Sequence, residues 1–127
     1  MSKNHNDIVI TSAVRSPIGI YKGGLKDIKA DYIGSECIKH AMKKSKIKPE
    51  DVDEIIMGQV LTSGQGQNPA RQAAINANIP SSKPAHLVNQ VCGSGLRSII
   101  SGYQQLILND ANIIISGGQE NMSRSHH

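Results

Sequence analysis

Four short apolar runs, rich in β-branched residues, set the strongest limit on how this 127-residue chain can fold. They end close to glycine, proline or polar residues, which is typical of β-strands. The runs IIM and III do not alternate with polar residues, so the sequence predicts strands buried on both faces, as in a parallel sheet covered by helices. The predicted strands are 8–14, 54–60, 85–91 and 112–116.

Helical signals fall between the predicted strands. The first predicted helix covers about 31–44, and the second begins at Asn68, which can cap it, and stops before Pro80. The third is the clearest, because its apolar residues recur at the spacing of one helix face and form a continuous stripe. The residues of that stripe are Leu96, Ile99, Ile100, Tyr103, Leu106 and Ile107.

The predicted element order is therefore βαβαβαβ, within a single α/β domain that spans residues 1–127. Right-handed crossovers give such a chain an open, mostly parallel sheet with helices on both faces. Ligands in sheets of this kind bind at the carboxyl ends of the strands. The loop after the third predicted strand is therefore the first place where we expect chemistry.

Composition and targeting signals exclude several classes of protein. The first seven residues are polar, which argues against a secretory signal, and no apolar run approaches the roughly 18 residues of a membrane span. Two cysteines are too few for a disulfide scaffold, so we expect a reducing, cytoplasmic location. Eight lysines lie within 22–48, but that stretch has no arginine and the net charge is only +4, which favours a solvated helix face over a nucleic-acid or membrane surface.

The segment NQVCGSGLRS, residues 89–98, places Cys92 between a predicted strand and a predicted helix. This arrangement is similar in logic to a nucleophile elbow, with sulfur in place of oxygen. The N–H groups and partial positive charge of a helix start stabilise a thiolate, and they can stabilise the oxyanion that forms when the thiolate attacks an acyl group. An inert, buried cysteine beside a tight helix start is the alternative, and these residues alone do not decide between the two.

The other candidate residues carry weaker signals. Cys37 lies on the apolar side of the first predicted helix, where we expect a small buried hydrophobe and no disulfide to Cys92. Glu120 follows the fourth predicted strand and could polarise a site, although a solvated or loop-ordering carboxylate is the favoured interpretation. Neither GQGQ at 64–67 nor GG at 117–118 matches a nucleotide-binding motif, and no spacing of cysteines and histidines predicts a metal site.

Several stretches of the chain together resemble the thiolase family, and most closely its acetyl-CoA acetyltransferases. They follow one another in unbroken order and cover nearly the whole sequence. The stretches are SAVRSPIGIYKGGLKD (12–27), KPEDVDEIIMGQV (48–60), QGQNPARQAA (65–74), NQVCGSGLRS (89–98) and GGQENMSRS (117–125).

The resemblance implies an acyltransferase that reversibly condenses two acetyl-CoA molecules to acetoacetyl-CoA and free CoA. It implies that Cys92 is the nucleophile that takes the acyl group as a thioester. It also implies an acyl-CoA substrate, no metal, and no cofactor beyond the CoA that the substrate carries. Thiolases form homo-oligomers, and we expect this chain to associate or aggregate.

The resemblance also implies that several segments and motifs of a thiolase have no counterpart in residues 1–127. A thiolase subunit is much longer, with a fifth strand in its first half, a loop domain and a similar second half, so residues 1–127 resemble a partial amino-terminal domain. The Gly-His-Pro histidine that activates the nucleophile, the Asn-Glu-Ala-Phe motif and the Cys-x-Gly cysteine that moves the α-proton match no position here. In particular, His86, His126 and His127 match none of them. We therefore expect the chain alone to be inactive.

Three functions remain open at this point. The leading interpretation is an amino-terminal part of an acetyl-CoA acetyltransferase, either from a gene broken by a stop or frameshift or from a deliberately shortened chain. The second is a non-catalytic interaction module, or one half of a split enzyme, that pairs with a thiolase subunit. The third is a redox or acyl-accepting thiol protein that uses Cys92 alone, although no resolving cysteine lies near it in the sequence.

Overall fold

The computed structural model describes residues 8–126, which form a three-stranded parallel sheet covered by three α-helices. In chain order the elements are α1 (Ala30–Ser45), β1 (Glu54–Gly58), α2 (Pro69–Asn76), β2 (Ala85–Val88), α3 (Ser94–Ile107) and β3 (Ile114–Gly118). The predicted fold class, an open parallel sheet with helices on both faces, is confirmed. The interpretations of residues 1–7 and of His127 concern positions outside the described range.

The central strand of the sheet is β1, and the strand order is β2-β1-β3. Ile55 lies opposite Ala85 of β2 and opposite Ile115 of β3. Both Ile55 and Ile56 are fully buried, although neighbouring residues of a strand point to opposite faces. Burial on both faces explains why the central run does not alternate between apolar and polar residues.

Helices α1 and α2 cover one face of the sheet. Ile55 and Met57 of β1 pack there against Ile38 and Met42 of α1. The side of α2 that meets the same core consists of alanines with almost no exposed surface, and such small side chains let a helix approach closely. These alanines are Ala70, Ala73 and Ala74, and Ala77 directly after the helix packs in the same core.

Helix α3 covers the other face, and it does so with its smallest residues. The buried residues of α3 are Ser94, Ser98 and Gly102, one turn apart along the helix. The predicted helix is therefore present. In a surface helix the apolar stripe ordinarily faces the core, but here it points away from the sheet. Leu96 is 65% exposed and Ile99 is 45% exposed. Within residues 8–126, no helix is long and apolar enough to cross a membrane.

The first predicted strand, 8–14, is wrong, and the observed order is αβαβαβ. The segment is mostly exposed and pairs with none of the strands that the structure describes. It lies beside α1 instead, where Ser12 Oγ donates to Ala41 O at 3.0 Å and Lys44 Nζ donates to Ala13 O at 3.2 Å. Its β-branched composition favours an extended backbone, but a strand also needs a neighbour for its N–H and C=O groups.

The last predicted strand is present, but it begins two residues later, at Ile114. The carboxylate of Asp53 explains the shift, because its Oδ2 accepts the N–H groups of Asn112 and Ile113 at 2.7 and 3.1 Å. The hydrogen bond from Asn112 is the main cause that holds the pKa of Asp53 below its usual value, and Lys83, 3.6 Å away, adds to it. Asp53 thus joins the start of β1 to the segment that leads into β3.

We predict that Gly58→Ala destabilises the fold, because β1 and α3 touch at this glycine. A Cβ atom at Gly58 would lie 2.5 Å from the carbonyl carbon of Ser94 and 2.7 Å from the amide nitrogen of Gly95. Backbone atoms cannot rotate away, so we expect a loss of about 1–3 kcal/mol in the free energy of unfolding, measured by urea denaturation.

Gly95→Ala is the matched control on α3. A Cβ atom there meets nothing within 4 Å, and alanine is a better helix former than glycine by roughly 0.5–1 kcal/mol. Equal urea midpoints for the two variants would contradict the close contact between β1 and α3.

Candidate functional site

The carboxyl ends of the three strands meet at one edge of the sheet, and hydrogen bonds between them continue past the strand ends. Gln119 N donates to Gly58 O at 3.0 Å, and Gln59 N donates to Val88 O at 3.2 Å. The loops that follow β1, β2 and β3 therefore lie side by side. This is the edge at which the sequence predicts chemistry.

Cys92 lies in the loop after β2 and is exposed. The sequence predicted that the strand before Cys92 runs to residue 91, and this is wrong, because β2 ends at Val88 and a turn at 89–93 carries the cysteine to the start of α3. The burial that the alternative interpretation expected is not observed, because Cys92 is exposed. The thiol is open to solvent at the carboxyl edge of the sheet, immediately before the helix.

The turn that carries Cys92 contains a strained residue. Val91 has φ = +50°, which is a left-handed conformation that β-branched residues rarely adopt. Asn89 Oδ1 accepts the N–H of Val91 at 3.0 Å, and Ser94 Oγ donates to Val91 O at 2.6 Å. The same hydroxyl accepts the N–H of Gln90 at 2.8 Å. Two side chains thus hold the backbone on either side of the strained residue.

Two backbone amides at the start of α3 donate hydrogen bonds to carbonyl oxygens within the turn. Gly93 N donates to Gln90 O at 3.0 Å, and Ser94 N donates to Val91 O at 3.1 Å. The sequence predicted that N–H groups of this first turn would stabilise an oxyanion. In the observed conformation neither of these two amides is available for that role.

Glu120 orders the loop after β1. Its Oε2 accepts the N–H of Val60 at 2.8 Å, and its Oε1 accepts the N–H of Leu61 at 3.2 Å. Val60 O in turn accepts a long hydrogen bond from Asn89 Nδ2 at 3.4 Å. These contacts match the interpretation of Glu120 as a loop-ordering carboxylate. They also link the loop after β3 to the turn that carries Cys92.

A buried pair of glutamines lies beneath these loops. Gln119 Nε2 donates to Gln59 Oε1 at 2.9 Å and to Pro69 O at 3.2 Å. Gln59 Nε2 donates onward to Leu61 O at 3.0 Å. Both side chains are almost fully buried. Sequence reasoning missed them, because nothing in the local pattern distinguishes a buried glutamine from a solvated one.

Asn89, Val91 and Ser94 were also missed as members of the site. Asparagine and serine near a glycine are a turn signal, since their side chains bond to backbone groups a few residues away. That signal is present in NQVCGS. The conformation of Val91 has no signal of its own, because its side chain argues against a positive φ.

The remaining candidates lie apart from Cys92. Cys37 is a free, half-buried thiol on α1, so the expectation of a buried side chain is wrong. His86 Nδ1 lies 2.6 Å from Glu54 Oε1, near the amino ends of β1 and β2 and thus at the opposite edge of the sheet. Among residues 8–126, no histidine is hydrogen-bonded to Cys92, and no cluster of three potential metal ligands occurs.

Sequence comparisons place these features in a known context. A model of the thiolase N-terminal domain matches residues 8–127. An acetyl-CoA acetyltransferase from Cupriavidus necator is 50% identical over 121 residues, which are 95% of this chain and 31% of that protein. A probable acetyl-CoA acyltransferase from Staphylococcus aureus is 46% identical over 118 residues, which are 93% of this chain and 30% of that protein.

Solved structures match the fold. A thiolase from Ascaris suum, crystallised in complex with coenzyme A, gives a TM-score of 0.90 at 37% identity. The match covers 92% of this chain and 31% of the Ascaris suum structure. An acetyl-CoA acetyltransferase from Bacillus anthracis gives a TM-score of 0.89 at 35% identity, with 93% of this chain and 30% of that structure covered. The chain thus spans less than a third of these relatives. Because the family match extends over all but the first seven residues, the chain belongs to the thiolase family.

Proposed function

We propose that this chain carries the acyl-accepting site of an acetyl-CoA acetyltransferase, with Cys92 as the nucleophile. The observation that supports the proposal most directly is the exposed thiol of Cys92 on the turn before α3, at the edge where parallel sheets bind their ligands. The relatives at 46–50% identity carry names of acetyl-CoA acyl transfer. The neighbouring structure from Ascaris suum holds coenzyme A, which agrees with an acyl-CoA substrate.

The proposed step is transfer of an acetyl group between two sulfur atoms. The Cys92 thiol loses its proton to water, and the thiolate attacks the carbonyl carbon of acetyl-CoA. The tetrahedral intermediate collapses by breaking the bond to the CoA sulfur, which leaves as thiolate and takes up a proton. The products are acetylated Cys92 and free CoA. Both cysteines are free thiols, which fits the reducing cytoplasm that we propose as the location.

Repeated turnover requires groups that match no position in these 127 residues. A general base is typically worth roughly 10²–10⁴-fold in rate, and the histidine that the resemblance assigns to this role is not among them. His86 cannot replace it, since it pairs with Glu54 at the other edge of the sheet. Condensation also needs a base for the α-proton of acetyl-CoA. We therefore propose that the chain alone accepts one acetyl group and does not cycle.

We predict that acetyl-CoA acetylates Cys92 and leaves Cys37 unmodified. Cys92 is exposed on a loop, whereas Cys37 is half-buried on α1. Peptide mass spectrometry after incubation should find up to one acetyl group per chain, and iodoacetamide should also react faster at Cys92. Cys92→Ala should abolish the modification and Cys37→Ala should preserve it. Equal modification of both cysteines would contradict the proposed nucleophile.

We predict that the 127-residue chain does not catalyse multiple rounds of acetoacetyl-CoA thiolysis. The assay follows the loss of acetoacetyl-CoA absorbance after addition of CoA. We expect no more than one equivalent consumed per chain, since the missing general base alone is worth roughly 10²–10⁴-fold in rate. Sustained turnover that Cys92→Ala abolishes would contradict this prediction and would show that another residue serves as the base.

The second candidate function, a module that pairs with a thiolase subunit or with a separately encoded half, is favoured by the outer side of α3. There, Leu96, Ile99, Ile100 and Tyr103 are all at least 39% exposed. Contiguous apolar patches of this kind mark interaction surfaces or sites of aggregation. We propose that this side of α3 drives association of the chain, whichever of the two functions it serves.

We predict that Ile99→Glu reduces self-association and that Ile75→Glu does not. The two isoleucines are matched, because Ile99 is 45% exposed on α3 and Ile75 is 44% exposed on α2, on the opposite face of the sheet. Sedimentation velocity over a range of concentrations should show that wild-type and Ile75→Glu chains associate and that Ile99→Glu shifts towards monomer. A wild-type chain that stays monomeric at every concentration would contradict the proposed surface.

A further inference from the structure

Val91, the residue before Cys92, has an unfavourable backbone conformation that its own side chain does not stabilise. Its φ of +50° places a β-branched residue in the left-handed region. Its side chain is 65% exposed, so packing does not hold it there. Strained residues persist only where the surroundings determine their conformation, and they cluster at functional sites.

The surroundings of Val91 bind both of its backbone polar groups. Asn89 Oδ1 accepts its N–H at 3.0 Å, and its carbonyl oxygen accepts hydrogen bonds from Ser94 Oγ at 2.6 Å and from Ser94 N at 3.1 Å. Ser94 is only 4% exposed and its hydroxyl also accepts the N–H of Gln90, so this side chain is fixed on both sides. The turn is closed from the buried side by Ser94 and from the exposed side by Asn89.

The turn is also tied to the rest of the carboxyl edge. Asn89 Nδ2 donates to Val60 O at 3.4 Å, while the N–H groups of Val60 and Leu61 are held by the two oxygens of Glu120. The chain of contacts therefore runs from the loop after β3, through the loop after β1, to the turn that carries Cys92. Each of its members lies just past the carboxyl end of a strand of the same sheet.

The geometry points to Asn89 and Ser94 as positioning residues that hold Val91 in its left-handed conformation and thereby direct the Cys92 thiol. The dihedral angles of Val91 set the orientation of the peptide that leads into Cys92, and hence the direction of its Cα–Cβ bond. Relaxation of Val91 to a negative φ would turn the thiol away from its observed place before α3. This inference rests on the proposed function, because it assigns a role relative to Cys92 as acyl acceptor.

The test compares the rate at which acetyl-CoA acetylates Cys92 in matched serine variants. Ser94→Ala removes the hydroxyl that holds Val91, whereas Ser98→Ala removes an equally buried hydroxyl one turn later, which bonds to Gly95 O and Gly117 O. Because misplacement of a reacting group by about 1 Å can cost about 100-fold, we expect Ser94→Ala to slow acetylation by roughly 10- to 100-fold. Ser98→Ala should change it less than about threefold, even where both variants lower the urea midpoint equally.

Two further variants separate positioning from loss of structure. Asn89→Ala should also slow the acetylation of Cys92. Because Asn89 is exposed, its truncation leaves no buried cavity. Val91→Asn should restore the rate in the Ser94→Ala background, because asparagine adopts the left-handed conformation far more readily than valine. A cavity left by Ser94→Ala would not be repaired by a change at an exposed position.

The outcomes distinguish the inference from the proposed function. A wild-type chain that iodoacetamide alkylates at Cys92 but acetyl-CoA does not acetylate would overturn the proposed function, and this inference with it. Wild-type acetylation with equal rates in Ser94→Ala and Ser98→Ala, or with no rescue by Val91→Asn, would overturn the inference alone. A slow Ser94→Ala variant that Val91→Asn restores would support both.

Discussion

The close approach of α3 to the end of β1 is the contact on which the rest of the site depends. Gly58 has no room for a side chain against the backbone of Ser94 and Gly95, so the helix begins directly over the carboxyl edge of the sheet. That contact determines where the turn before the helix lies, and hence where Cys92 lies. It also requires small residues on the inner side of α3, which leaves the large apolar ones on the outer side.

Much of this fold was predictable from the sequence, because local signals agree with the tertiary structure. Asn68 caps the start of α2 as expected and accepts the N–H of Arg71 at 3.1 Å. The buried central strand follows from its unbroken apolar run. The position of Cys92 between a strand and a helix was also predictable, although the length of the turn was not.

The errors have physical causes that a single sequence does not reveal. Periodicity identifies the apolar side of α3, but it does not say whether the sheet or another surface lies against that side. Composition identifies 8–14 as an extended segment, but a strand exists only where a neighbour satisfies its backbone. The turn at 89–93 interrupts the predicted strand 85–91, because Val91 adopts a conformation that its residue type disfavours. In the first two instances the deciding partner is distant along the chain, whereas Val91 is held by Asn89 and Ser94, its close neighbours in sequence.

The strand order has a consequence for how the chain matures during synthesis. The central strand, β1, is synthesised before its two neighbours in the sheet, Ala85–Val88 and Ile114–Gly118. Its pairing along either edge therefore depends on residues that are translated much later. Non-local pairing of this kind slows folding and leaves unpaired apolar strands exposed while it proceeds. On the ribosome, β1 and its covering helices can therefore form only a half-paired sheet until Gly118 has left the exit tunnel. The loop that carries Cys92 is synthesised before that moment, and its contact with Glu120 through Val60 is among the last to form.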